Sequence, residues 1–163
     1  MPEKVTLIIH GDAQPAGSKR AFMRPGARFP QVVDANPKSA GWKSQIARAC
    51  AEQYGGPFLE GPLVMLVRFY QSRPKSHWGT GRNAGLLKDS APARPIVAPD
   101  VDKLSRAVLD GLTGQLYRDD AQVVTKLAEK HYGEPARVEI EVTPLEHSTI
   151  GEDSLAEQLA LAP

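Results

Sequence analysis

Two stretches of the chain carry apolar residues at helical spacing. Residues 38–54 hold no proline, and Trp42, Ile46, Ala49 and Cys50 fall on one face. Gly55-Gly56-Pro57 closes that helix. A second helix opens at Asp100 or Val101, with Leu104, Ala107, Val108 and Leu112 as its stripe and Gly114 near its end. Strand signals surround these helices. Val5 to Ile9 is rich in β-branched residues, and Leu63 to Tyr70 is dense in Leu, Val, Phe and Tyr. Gln122 to Tyr132 and Ala136 to Val142 follow, joined by Gly133-Glu134-Pro135. In the last strand Val138, Ile140 and Val142 alternate with Arg137, Glu139 and Glu141, the pattern of a half-buried strand.

Two segments show no period: residues 11–37, and residues 72–99 with four prolines. Both read as irregular, and a loop as long as 72–99 inside one domain points to function or mobility. The order strand, helix, strand, helix, strand, strand predicts a small single α+β domain. Two main helices lie on a mixed or mostly antiparallel sheet. The domain takes in residues 1–146. Residues 147–163 form an acidic C-terminal tail, read as a short helix that packs or frays.

Charge divides the chain. Residues 1–100 hold 14 Lys and Arg against 7 Asp and Glu, while residues 101–163 hold 6 against 12, so the overall +1 conceals a basic half and an acidic half. Such a division suits a protein that attracts an anion and holds a cation. No apolar run approaches the ~20 residues of a membrane span, and the N-terminus has no signal-peptide pattern. The single Cys50 excludes an internal disulfide framework and suits a cytoplasmic protein.

The acidic half carries two carboxylate pairs, Asp100-Val101-Asp102 at a helix start and Asp119-Asp120 after that helix. One aspartate at a helix start is explained by capping, and an isolated Asp-Asp by a turn. Two at the helix start exceed what a cap needs. A helix of ~12–15 residues travels ~20 Å, so the two pairs meet only if the chain doubles back or a second chain contributes. Converging carboxylates need a cation, and an oxygen-only set favours a hard ion such as Mg²⁺ or Mn²⁺. Asp102, Arg106 and Asp110 share one helical face, where Arg106 can grip a phosphate. Asp110 reads as a pairing residue. The stretch GDAQPAGSK at residues 11–19 ends in Gly-Ser-Lys, so a phosphate-binding loop is rejected.

Residues 99–114, PDVDKLSRAVLDGLTG, followed by YRDDAQVV at 117–124, resemble the RusA family of Holliday junction resolvases. Pro15-Ala16-Gly17-Ser18-Lys19-Arg20 is similar to a segment of its phage and prophage members. The resemblance implies a small α+β homodimer in the bacterial cytoplasm that nicks branched DNA with Mg²⁺, Mn²⁺ being a possible substitute. Paired nicks would resolve a four-way junction in DNA recombination and repair. The family's metal ligands fall on Asp100, Asp102 and Asp120, with Asp119 a possible alternative. Its catalytic basic residue, commonly lysine, falls on Arg106, and Lys103 stands where the family often has Asn. On this reading Lys19, Arg20, Arg24, Arg28, Lys75, Arg82 and Lys103 contact DNA. The rival readings are a non-catalytic DNA-binding module and a metal-dependent hydrolase of small phosphate esters.

Overall fold

In a computed structural model, which describes residues 4–145, a single four-stranded sheet carries two helices on one face. The elements are β1 (Val5–His10), β2 (Lys19–Phe22), β3 (Gln31–Asp34), α1 (Ser39–Gln53), β4 (Leu63–Gln71), α2 (Val101–Leu112), β5 (Val123–Tyr132) and β6 (Arg137–Pro144). The sheet order is β1-β6-β4-β5. The tail from residue 146 lies outside the described residues.

Alternation builds the sheet's buried face. Val5, Leu7 and Ile9 of β1, Leu63, Met65, Val67 and Phe69 of β4, and Val138, Ile140 and Val142 of β6 all point into the core. Trp42, Ile46, Ala49 and Cys50 of α1 meet them, as do Leu104, Ala107, Val108 and Leu112 of α2. Both helical stripes are therefore the buried faces that their spacing predicts. The helices touch closely where Gly111 faces Ile46, because a Cβ at Gly111 would stand 3.0 Å from Ile46 Cβ.

The sheet is mixed. β6 runs antiparallel to β1 and β4, whereas β5 runs parallel to β4 and forms an edge. Thus β5 and β6, consecutive in the chain, are separated by β4. On the sheet's other face Arg68 links Glu129 of β5 (3.5 Å) to Glu141 of β6 (3.0 Å) across β4.

The segment 11–37 is not wholly irregular. β2 and β3 pair antiparallel, from Lys19↔Asp34 to Phe22↔Gln31, as a separate two-stranded ribbon. Apart from half-buried Asp34, its residues are exposed on both faces. A strand that buries neither face leaves no alternation in the sequence. Residues 72–99 form a loop with two single 3₁₀ turns, Lys75–His77 and Gly81–Asn83, and a bridge between Trp78 and Leu87.

Candidate active site

Asp100 is extended, the usual backbone conformation of a cap position, and α2 begins at Val101. Asp100 occupies the cap position, yet its side chain makes no capping hydrogen bond. The buried stripe fixes the helix against the sheet, so Asp100 and Asp102 both project outward, with side chains 69% and 70% exposed. Three cations surround them. Lys103 Nζ is 3.9 Å from Asp100 Oδ2, and Arg106 Nη2 is 3.3 Å from Asp102 Oδ2. The third, Lys126 of β5, stands 3.7 Å from Asp102 Oδ1.

Lys126, Ala128 and Lys130 alternate along β5 and share the face toward α2. Lys130 Nζ donates to the carbonyls of Val97 (2.6 Å) and Pro99 (2.9 Å), which fastens the approach to Asp100. Lys126 belongs to no motif of the sequence. The period-2 placement of Lys126 and Lys130 was the signal available, but it acquires meaning only once β5 is known to pass the start of α2.

The second carboxylate pair sits beyond the other end of α2. Tyr117 is fully buried, and its hydroxyl donates to the carbonyl of Leu109 at 3.1 Å. Burial drives its pKa upward, and the nearby Asp120 carboxylate adds to the rise. Tyr117 thereby pins the turn that carries Asp119 and Asp120 to the helix C-terminal end. Asp119 Oδ1 accepts the N–H of Ala121 at 2.8 Å, and Gln122 Oε1 accepts the N–H of Asp119 at 3.2 Å, a reciprocal cap. Gln122 Nε2 also donates to the carbonyls of Leu59 and Gly61. Asp119 is thus engaged in holding the turn, whereas Asp120, exposed beside it, has no such task.

One chain does not bring the two pairs together. The 12 residues of α2 span about 18 Å, and from the turn that carries Asp120 the chain returns along β5, past Asp102 at Lys126 and Pro99 at Lys130. Among the described residues no three His, Cys, Asp or Glu side chains gather as a metal-binding group. Asp110 is occupied elsewhere, 2.6 Å from Lys43 Nζ, the pairing role that its position suggested.

One of the two basic segments is tied to the start of α2. Ala16 N–H donates to the carbonyl of Lys103 at 2.9 Å, so the base of the β2–β3 ribbon is attached to the turn that carries Asp102. Lys19 and Arg20 lie on β2, and Arg24 and Arg28 lie on the connection to β3, all exposed. Lys75 and Arg82 occupy the two 3₁₀ turns of the long loop, also exposed. Arg73 and Lys88 are used internally: Arg73 donates to the carbonyl of Pro92 and lies over the Tyr132 ring, and Lys88 donates to the carbonyl of Ser76.

A family model described as Endodeoxyribonuclease RusA matches residues 12–143. The chain is also similar to a protein of Bacillus subtilis (strain 168) named "Uncharacterized protein YqaN". The two are 31% identical over 140 residues, which cover 83% of this chain and 93% of the relative. The family match takes in the ribbon, both helices and all four carboxylates at the ends of α2. The chain belongs to the RusA family of endodeoxyribonucleases.

Proposed function

We propose that the protein is a Mg²⁺-dependent endonuclease that resolves four-way DNA junctions by paired nicks, in DNA recombination and repair. The observation that carries this reading is the outward Asp100–Asp102 pair, with Arg106 and Lys126 on either side of Asp102, in a chain of a nuclease family. The donor set suits a hard divalent ion. It is all oxygen, the Asp100 carboxylate is not used as a cap, and Asp120 is not engaged in the turn that Asp119 holds. Asp100, Asp102 and Asp120 would hold Mg²⁺, or Mn²⁺ in its place. Such an ion supplies a Lewis acid and a water acidic enough to attack phosphorus at neutral pH. Arg106 and Lys126 hold the Asp102 carboxylate until a phosphate is bound, and then grip the phosphate. A guanidinium does not readily give up a proton, so Arg106 would position the phosphate rather than protonate the leaving oxygen. Lys130 keeps the Asp100 approach in place.

The separation of the carboxylates supports a homodimer. Among the described residues the outer edge of β5 is unpaired, which makes it a template for a second strand. Val124, Leu127, Val101, Ile96 and Val97 lie exposed along and beside it. If two copies of β5 pair antiparallel about a two-fold axis near Lys126, Asp120 of one chain falls opposite Tyr132 of the other. That end of β5 is the end where Lys130 meets Pro99, so Asp120 would approach the other chain's Asp100. Each active site would then draw two aspartates from one chain and one from its copy. Two such sites match the two-fold symmetry of a four-way junction.

The open, basic surroundings favour DNA over a small phosphate ester, which needs no ribbon of exposed cations. A labelled four-way junction incubated with and without Mg²⁺ tests the reading. Symmetric incision that needs the metal and is lost in Asp102→Asn is expected. Binding without incision would leave a DNA-binding module, and hydrolysis confined to mononucleotide esters would favour the phosphohydrolase.

A further inference from the structure

The β2–β3 ribbon carries an apolar tip that nothing in the described chain covers. Met23 and Phe29 are 61% and 78% exposed, and Phe22, Val32 and Val33 of the two strands are exposed as well. Large apolar side chains gathered at one projection mark a contact surface. Charge identifies the kind of partner. From residue 13 to residue 33 there are four cations, Lys19, Arg20, Arg24 and Arg28, and no acid. Such a surface suits a partner that is polyanionic and also offers apolar surface, as DNA does with its phosphates and stacked bases.

The base of the ribbon is tightly closed. Its base is fixed by Ala35 N–H to the carbonyl of Ser18 (2.9 Å), by Asn36 Nδ2 to the carbonyl of Pro15 (2.9 Å), and by Asp34 Oδ1 accepting from Asn36 N–H (2.9 Å). A side chain at Gly17 would collide with Asp34, so glycine permits this tight base. Pro25 and Pro30 limit the backbone freedom of the tip. The contact from Ala16 to Lys103 ties the base of the ribbon to the turn that carries Asp102.

We propose that the ribbon is a wedge, whose Met23 and Phe29 enter the base stack at the branch point while Arg24 and Arg28 grip the flanking phosphates. Apolar side chains on projecting elements unstack base steps in this way, and arginines beside them anchor the backbone. The unstacked strand is then presented to the carboxylates at the start of α2. The inference rests on the junction-nuclease reading and adds to it the residues that distort the substrate.

The test uses the full chain and a four-way junction in EDTA, with 2-aminopurine placed at the branch point or in the middle of an arm. Wild type should raise the branch-point fluorescence and leave the arm probe unchanged. The Met23→Ala/Phe29→Ala variant should lose that rise at saturating protein and bind about tenfold more weakly. Phe29→Trp should keep it. Arg24→Ala/Arg28→Ala should weaken binding and flatten its salt dependence, yet retain the rise at saturation. A wild type that binds junctions without a branch-point signal overturns the wedge alone, as does an undiminished signal in the Met23→Ala/Phe29→Ala variant. Conversion of that variant from dimer to monomer by sedimentation would also overturn it, because the tip would then be a contact between copies of the chain. A wild type that binds no junction overturns the junction reading, and the wedge with it.

Discussion

Lys126 Nζ stands 3.7 Å from Asp102 Oδ1, so the middle of β5 and the first turn of α2 share one cluster of charge. Arg106 holds the other oxygen of the same carboxylate at 3.3 Å. Removing the carboxylate charge releases both cations toward phosphate. Asp102→Asn should therefore bind junction DNA at least as tightly as wild type while losing nicking. Gel-shift and cleavage assays on the same preparation check this. Weaker binding together with lost cleavage would mean that Asp102 supports the fold rather than the chemistry.

The two neighbouring aspartates at the far end of α2 should separate cleanly. Asp119 caps the turn, so Asp119→Ala should cost about 0.5–2 kcal/mol of stability, the usual worth of such a cap. Asp120→Asn should leave the denaturation midpoint unchanged and abolish nicking. Urea melts beside cleavage rates decide the assignment. Lost cleavage in a fully stable Asp119→Asn protein would transfer the ligand role to Asp119.

Arg106→Lys should keep much of the cleavage rate, because lysine retains the positive charge that faces the phosphate, and Arg106→Ala should lose most of it. Both variants should melt as wild type does, since the Arg106 side chain is 58% exposed and such surface pairs contribute about 0–1 kcal/mol. Single-turnover rates at saturating protein are the relevant measurement.

Acid should weaken the sheet through Glu129 and Glu141. Partial burial raises the Glu129 pKa, but the hydrogen bond to His131 and the charges of His131, Arg94 and Arg68 outweigh it. The hydrogen bond from Lys4 leads in lowering Glu141, with burial opposing and Arg68 assisting. Both groups thus sit below the ordinary value of 4.5. Their stabilisation is full above that pH and is lost as pH falls through the depressed folded values. Arg68→Ala should destabilise the protein by about 1.5–3 kcal/mol at neutral pH, as loss of hydrogen bonds to charged groups does. It should also flatten the fall in stability on acidification, which urea melts at several pH values would reveal.

Packing between the helices gives a prediction independent of function. Gly111→Ala gains about 1 kcal/mol of helix propensity but forces a methyl group onto Ile46, and such overpacking costs about 1–3 kcal/mol. The net expectation is a lower melting temperature, and Gly111→Val should lower it further. A Gly111→Ala protein more stable than wild type would show that the packing cost is smaller than the gain of about 1 kcal/mol in helix propensity.

The elements that bury one face were legible in the sequence. Trp42, Ile46, Ala49 and Cys50 marked α1, and the alternation from Arg137 to Val142 marked β6, because pattern records burial. The β2–β3 ribbon buries almost nothing and left no such mark. The parallel pairing of β5 with β4 was equally hidden, since a strand's pattern does not reveal its neighbour's direction. At the site, the aspartate pairs could be read from their spacing and from the family resemblance. Lys126 could not, because its meaning depends on the path of β5 past α2. The hydrogen bonds that engage Asp119 in the turn were not legible in the sequence either.

Mixing two inactive variants tests most directly whether carboxylates of two chains form one nuclease site. Asp102→Asn and Asp120→Asn homodimers should each leave a four-way junction uncut. A heterodimer of the two, co-purified through different tags, contains one site with both substitutions and one site with neither. It should regain Mg²⁺-dependent nicking of a circular junction substrate, yielding nicked rather than linear product. A heterodimer as inactive as either parent, or a wild-type chain that sediments as a monomer while resolving junctions, would contradict the shared site.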